Sequence, residues 1–207
     1  MVQNTDVSIC ARALILLGEA PISSFDETRD AAVVCANVYP GLRDAILSQH
    51  PWRFLMTKKK LTRASETPVG EYSYSHIIPT DAIDRKVHAV FASSKDKQGI
   101  SNFEVFENRI FSDYEELWAD YKITKLEASW PEAVALLMVY AMCAEIAFTI
   151  TDQQNTADNW RLAAYGLPSD NGMGGQMGIA LAQEAQTQGN QSIYANEFID
   201  ARHGGTT

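Results

Sequence analysis

The chain has 207 residues, of which 46% are hydrophobic and 21% charged, so it is long enough to bury a core and too apolar for a disordered chain. Its formal net charge of -9, from 17 basic and 26 acidic residues, argues against a protein that grips nucleic acid through clustered lysines and arginines. The N-terminus has neither the basic region nor the apolar core of a signal peptide, so we expect a protein made in the cytoplasm.

Residues 1–51 predict two helices. Thr5 is placed to cap the first helix, and Gly18 supplies the left-handed residue that ends it. A second helix is predicted from Asp26 or Thr28 to the residues before Pro51, with a kink or break at Pro40, because proline removes a backbone hydrogen bond. The apolar positions recur at helical spacing: Val7, Cys10, Ala11, Leu14 and Leu17 in the first helix, then Ala32, Cys35, Tyr39, Leu42 and Ile46 in the second.

Residues 52–124 change to alternating aromatic, β-branched and polar side chains, which is typical of short antiparallel strands. The segments 103–106 and 109–111 are separated by Glu107-Asn108, and Asn108 tolerates a positive φ, so a tight hairpin is predicted there. Further strands are predicted over 87–91 and 114–122. This region is therefore expected to form a small β lobe inserted between helices.

Residues 125–167 predict the second half of a helical bundle. Pro131 suits the first turn of a helix with Ser129 as its cap, and 132–150 is apolar nearly all round. The apolar stretch 133–150 contains Glu145 and lacks basic flanks, so we interpret it as a buried core helix and not as a membrane span. A shorter helix over about 152–166 follows.

Residues 168–207 form the predicted C-terminal arm. The glycines between 172 and 178 indicate a flexible connection, and the alanines after them favour a helix up to about Gln188. The arm has few large apolar residues, so we expect it to become ordered against another chain. The predicted fold class is α+β, mainly α: a helical bundle with a small inserted antiparallel β lobe and an extended C-terminal arm.

No catalytic, cofactor-binding or metal-binding residues are predicted. Cys10, Cys35 and Cys143 are odd in number and widely spaced, which favours three small core residues. The four histidines lack metal-ligand spacing, and no phosphate-binding glycine motif or nucleophile elbow is present. Glycoside hydrolysis needs two facing carboxylates, but a solvated acidic face is the favoured interpretation of the three candidate pairs. The pairs are Glu115 with Glu116, Asp113 with Asp120, and Glu104 with Glu107.

Two further groups of residues each have a structural and a functional interpretation. Lys58-Lys59-Lys60 with Arg63 is favoured as a solvated strand edge, with a phosphate-contacting patch as the alternative. Four aromatic residues are favoured as residues that pack the small β lobe on a helix, with base or sugar stacking as the alternative: Trp52, Phe54, Tyr72 and Tyr74.

The order of several short motifs resembles the phage head-to-tail connector proteins related to tail tubular protein A. The motifs are ALILLGEAPI at 13–22 followed by Asp26, YPGLRDAIL at 39–47, HPWRF at 50–54, Leu117-Trp118, Trp130-Pro131-Glu132, and Ile199-Asp200-Ala201-Arg202. The resemblance covers residues 5–165 well and the arm more loosely. These motifs are packing and turn signatures, so their specificity comes from their order.

The resemblance implies a virion structural protein that is not an enzyme: one subunit of a twelve-membered adaptor ring that docks to the portal, receives the nozzle or next tail protein, and surrounds the DNA conduit. An excess of acidic residues suits such a conduit, because it repels phosphates. The arm is expected to contact the portal or a neighbouring subunit through Gln188, Ile193, Tyr194, Phe198, Ile199 and Arg202. Two alternatives remain: another head-completion or tail-terminator protein, and a virion-associated polysaccharide hydrolase.

Overall fold

The computed structural model describes residues 4–66, 68 and 70–186, and within these it has the predicted α+β, mainly α fold. The helices are α1 Asp6–Leu16, α2 Asp30–Gln49, α3 Glu132–Thr151, α4 Gln154–Tyr165 and α5 Gly175–Gln186. The strands are β1 Met56–Lys60, β2 Thr62–Arg63, β3 Tyr74–Ile77, β4 Ala82–Phe91, β5 Glu104–Phe106, β6 Arg109–Ser112 and β7 Trp118–Ile123. All the strands thus lie in sequence between α2 and α3.

Helix α1 begins and ends where the sequence predicts. The Thr5 hydroxyl accepts from the Ser8 amide at 3.1 Å, and the Ser8 hydroxyl accepts from the Thr5 amide at 2.7 Å, which forms a reciprocal cap. Gly18 has φ +84° just beyond the helix. The predicted cap and stop are both confirmed.

Helix α2 differs from the prediction in two respects. It begins at Asp30, because the preceding loop is held by side chains: Glu27 accepts from the Ser23 amide at 2.6 Å, and Arg29 donates to the Ala20 carbonyl at 2.7 Å. The helix also continues through Pro40, so the break, one of the two predicted outcomes, is wrong, and the kink stays a prediction. Buried residues on both sides of the proline pack into one core, which favours continuity over the lost hydrogen bond. The predicted end before Pro51 is confirmed.

The β lobe contains two antiparallel sheets, one with the order β1-β7-β4 and the other with the order β2-β3-β6-β5. The hairpin between β5 and β6 is confirmed: Glu107 and Asn108 have φ of +46° and +60°, and Phe106 pairs with Arg109. A second hydrophobic core lies within this lobe and includes Ile110 and Tyr121, both fully buried.

The main core surrounds α3, which contacts α1, α2, α4 and α5. Twelve of its twenty residues are buried, whereas Phe148 is 52% exposed. In the described part of the chain, α3 is the one helix long and apolar enough to cross a membrane, and most of that stretch is buried against the other helices. Its burial agrees with the interpretation as a core helix.

The N-terminus of α3 is built differently from the prediction. Ser129 does not cap the helix; it lies in a short 3₁₀ turn, and its hydroxyl donates to the Leu126 carbonyl at 2.7 Å. The helix begins at Glu132 with Pro131 as the residue before it. The Trp130 indole nitrogen donates to the Lys125 carbonyl at 3.0 Å and so fixes the entry of the chain.

The lobe is joined to the bundle by a buried lysine. The ammonium group of Lys122 on β7 donates to the carbonyls of Leu47, Ser48 and His50 at 2.8, 3.0 and 3.1 Å. The last carbonyls of a helix lack partners within it and carry a partial negative charge, so a cation is favourable there. Lys122 therefore caps α2 from a strand more than seventy residues away.

The first part of the predicted arm belongs to the bundle. Helix α5 places Met177 and Ala180 in the main core, and the Gln176 side-chain amide donates to the Ala133 carbonyl at 3.1 Å. The expectation that everything after residue 167 needs another chain for its order was therefore wrong for 175–186. The interpretation missed that small residues allow a helix to pack closely even when it has few large side chains.

Candidate functional site

An apolar groove of about 870 Å³ lies on the helical bundle. One wall comes from the C-terminal half of α2 and the other from α4 with the loop that follows it. Three apolar side chains of the groove are uncovered: Leu162 is 42% exposed, Leu167 59% and Met173 51%. Contiguous exposed apolar surface of this kind marks binding sites for partners or ligands.

The loop wall of the groove depends on glycines that pack closely. Gly166 and Gly174 approach each other and the Asp170 carboxylate, which accepts from the Leu167 amide at 2.8 Å. Gly175, with φ +53°, lies against the last turn of α4. The glycine-rich stretch was predicted as a flexible connection, whereas in the structure its glycines serve a tight turn that presents Leu167 and Met173.

Charged groups also line the groove. Arg161 pairs with Asp158 at 3.6 Å, one helical turn apart, and both side chains are about half exposed. Glu145 on α3 is exposed and makes no ion pair within the described part of the chain. Burial, followed by the nearby Glu145 carboxylate, raises the pKa of Tyr165 to about 12, so its hydroxyl stays protonated at neutral pH.

Within the described residues, the groove presents no buried polar side-chain atom that lacks a partner. Small-molecule sites combine apolar walls with a few precisely placed polar atoms. Among the described residues, the buried side-chain atoms without a partner are Ser75 Oγ and His76 Nδ1, and both lie on β3 in the lobe. The groove therefore suits an apolar surface of a macromolecule better than a small polar ligand.

The residues predicted to contact the portal or a neighbour lie outside the described residues: Gln188, Ile193, Tyr194, Phe198, Ile199 and Arg202. The groove itself was missed by the sequence reasoning. The available signal was the set of large apolar residues inside a turn rich in glycine and proline, where polar residues are usual.

The candidate carboxylates mostly have structural partners. Glu115 pairs with Arg63 at 2.8 Å, and Glu116 pairs with Lys60. Asp113 accepts from the Ser73 amide at 3.1 Å. Burial raises the pKa of Asp120, and Glu104 and Glu107 are exposed. The favoured interpretation of a solvated face therefore fits most of these residues, with Asp120 the exception.

The three lysines of the basic run lie on β1, which forms one edge of its sheet, as predicted for a strand edge, and Arg63 lies on β2. Each lysine has a local partner: the Lys58 ammonium lies 3.2 Å from the centre of the Phe91 ring, Lys59 pairs with Asp81 at 2.9 Å, and Lys60 pairs with Glu116. These contacts favour the structural interpretation over a phosphate-contacting patch.

The aromatic candidates also have packing contacts. Trp52 is fully buried in the main core, and its ring centre lies 6.1 Å from that of Phe54. The Arg63 guanidinium lies 5.0 Å from the centre of the Tyr74 ring, and Tyr72 approaches Asn102 at 3.5 Å. Packing is therefore confirmed for Trp52 and favoured for the others.

The three cysteines are free and buried, which confirms their interpretation as core residues. Burial raises the pKa of Cys143 to about 12, and a hydrogen bond with Cys35, together with burial, raises the pKa of Cys10. Both thiols therefore stay protonated at neutral pH. Within the described ranges, no group of three or more His, Cys, Asp or Glu side chains is arranged to hold a metal ion.

Acidification is expected to destabilise the β lobe through His76. Its Nε2 lies 3.1 Å from the Glu115 carbonyl, and its Nδ1 has no hydrogen-bond partner among the described residues. Burial, with a smaller contribution from the Arg63 cation, lowers the pKa of His76. The unfolded chain then binds a proton more readily than the folded one. The stabilisation is present above the unfolded pKa, near 6.5, and is lost as the pH falls towards the folded pKa.

Urea unfolding of the wild type and of His76→Gln at pH 7.5 and 5.5 measures this effect. The loss of unfolding free energy on acidification is expected to be smaller in His76→Gln. His88→Gln, at a more exposed histidine, should change that loss less. Equal losses in the wild type and His76→Gln would assign the pH dependence to other groups.

No protein-family model matches the chain, and no curated protein matches it at a significant level.

Proposed function

We propose that this chain is a virion structural protein of a tailed bacteriophage: a subunit of the head-to-tail adaptor ring that docks to the portal. In this role the ring joins the portal to the nozzle or next tail protein and forms part of the conduit for genome ejection. The protein would be assembled in the host cytoplasm and reside in the neck of the virion. No catalytic step is assigned to it.

The observation that carries the proposal is the order of the motifs, which resembles that of tail tubular proteins, together with the positions of these motifs in the fold. HPWRF at 50–54 forms the joint between bundle and lobe, where the Trp52 indole donates to the Ile46 carbonyl at 3.2 Å. Trp130-Pro131-Glu132 forms the entry to the core helix α3. YPGLRDAIL lies in α2, and its Leu42 lines the groove. The first two motifs thus lie where secondary-structure elements join, and the third lies within a helix of the bundle.

Two physical properties support the same role. A ring of identical subunits needs a heterologous interface, in which one patch of each copy meets a different patch of the next. The exposed apolar groove is a candidate for one such patch. The excess of 26 acidic over 17 basic residues also suits a channel through which DNA passes without binding.

The test is to mix the purified full-length protein with the portal protein of the same phage, and to combine negative-stain imaging with mass measurement. The expected result is a stable complex with an added ring beneath the portal and a mass that corresponds to twelve copies. Failure to associate even at high concentration would overturn the portal-proximal role. Antibody labelling of intact particles would then ask whether the chain is a head-completion or tail-terminator protein elsewhere in the virion.

A further inference from the structure

We propose that the groove on the bundle is the seat of the C-terminal segment, residues 187–207, of a second copy of this chain. The inference rests on the proposed function in one respect, which is that identical copies associate head to tail. It specifies which two surfaces of neighbouring copies meet, namely the groove and the C-terminal segment. The groove, walled by Leu42 on one side and by Leu162, Leu167 and Met173 on the other, is called the α2–α4 groove below.

The α2–α4 groove needs an apolar occupant. Leu162, Leu167 and Met173 are each between 42% and 59% exposed, and removing such side chains from water is favourable. The charged groups of the groove are few, and two of them, Asp158 and Arg161, already pair with each other. An occupant with several large apolar side chains and few charges therefore fits better than a highly charged one.

The C-terminal segment has the matching composition. Twenty-one residues follow Gln186, where α5 ends. Their large apolar side chains are confined to the centre of the segment: Ile193, Tyr194, Phe198 and Ile199. The positions before residue 193 are polar or glycine and suit a linker, as in many tethered binding segments. Arg202 can supply a cation for Glu145, which makes no ion pair in the described part of the chain.

The path of α5 leads the chain away from the loop wall of the groove. Gly175, the first residue of α5, lies beside the loop that presents Leu167 and Met173. From there the twelve-residue helix leads the chain about 18 Å towards Arg53, whose amide donates to Glu184. The six linker residues 187–192 span at most about 20 Å when fully extended, and α5 ends near Gln49 on the α2 wall, so the segment could reach its own groove as well as a neighbouring one. The choice of a neighbouring copy rests on the heterologous contact that a ring needs.

Groove and segment are also two unlike surfaces that occur once in each chain. Insertion of each segment into the next subunit is therefore a heterologous contact, which closes into a ring when the rotation between copies allows it. Closure within one subunit would use up both surfaces and leave neither to join copies.

The first measurement is the binding of a fluorescent peptide with the sequence of residues 187–207 to full-length Phe198→Asp, by fluorescence anisotropy. This variant keeps its groove and weakens its own segment. Saturable binding is expected, and adding Leu162→Glu to the protein should weaken it by at least about tenfold, because a carboxylate would be placed in the apolar contact. Ile15→Glu on α1 places the same change on exposed apolar surface outside the groove and should leave binding unchanged. No binding at millimolar peptide would overturn the proposal.

The second measurement separates a neighbour from the same subunit. Full-length Leu162→Glu retains an intact segment, and full-length Phe198→Asp retains an intact groove. Each alone is expected to sediment as a monomer, whereas their mixture should form a one-to-one heterodimer that cannot grow further. If the peptide binds Phe198→Asp but the mixture stays monomeric at hundreds of micromolar, the contact between copies is wrong. It is also wrong if wild-type protein stays monomeric at a concentration at which the mixture is dimeric, because each segment then fills the groove of its own subunit.

The two proposals fail separately. If Phe198→Asp still docks to the portal as a complete ring, the adaptor function stands and the groove contact is overturned. If the heterodimer forms but wild-type protein never binds the portal, the groove contact stands and the adaptor function is overturned.

Discussion

Replacing Lys122 by methionine is expected to lower the free energy of unfolding by about 3 kcal/mol, because a hydrogen bond to a charged group contributes about 1.5–3 kcal/mol and three are lost. The loss is partly offset, since a buried ammonium no longer has to be desolvated. Burial lowers the pKa of Lys122 for the same reason. Chemical denaturation at pH 7 measures the change.

The matched control is Lys86→Met, which makes the same substitution at an exposed position of β4. It should change the unfolding free energy by less than about 0.5 kcal/mol, as is usual for surface positions. If Lys122→Met were as stable as Lys86→Met, the three carbonyls would have to be satisfied in another way, and Lys122 would not be the cap of α2. Faster amide hydrogen exchange in the last turn of α2 is the local sign expected from the loss of this cap.

Replacing Gly175 by alanine is expected to cost about 3 kcal/mol or more. An added Cβ would lie 2.5 Å from the Ala163 carbonyl oxygen, 2.8 Å from the Gly166 amide nitrogen and 2.9 Å from the Leu162 carbonyl oxygen. All three are backbone atoms, so the close contact cannot be relieved by rotating a side chain. The residue also has φ +53°, which adds the cost of a left-handed conformation.

Gly172→Ala separates these two contributions. Gly172 has φ +76°, but an added Cβ would meet nothing within 4 Å. It should therefore cost only about 1–2 kcal/mol, the price of the left-handed conformation. Thermal and urea unfolding of both variants measure the difference. Equal costs would mean that the close packing of α5 on α4 does not contribute to stability, and would contradict the tight turn described for the groove wall.

The groove could not be predicted from the sequence, although its parts could. The sequence predicts that Leu42 lies on the apolar face of α2, and it predicts the helix that contains Leu162. What was missing was the close approach of α5 to α4, which depends on contacts between Gly175 and the backbone near Gly166. Hydrophobic periodicity reports which face of a helix is buried, but it does not report which helices lie side by side.

Local features were determined by the sequence itself. The Thr5 cap, the turn at Gly18, the hairpin at Glu107-Asn108 and the end of α2 before Pro51 each depend on residues only a few positions apart. At such short range, steric limits on φ and ψ and nearby hydrogen bonds decide the conformation, so the local pattern is sufficient.

Tertiary structure decided the rest. The continuity of α2 through Pro40 depends on one core that holds both halves of the helix, and the capping of α2 depends on Lys122, which is more than seventy residues away. Helix α5 is ordered by Met177 and Ala180 in a core formed mostly by the earlier helices. In each case the local preference is worth a few kcal/mol at most, and the burial and hydrogen bonding of distant residues outweigh it.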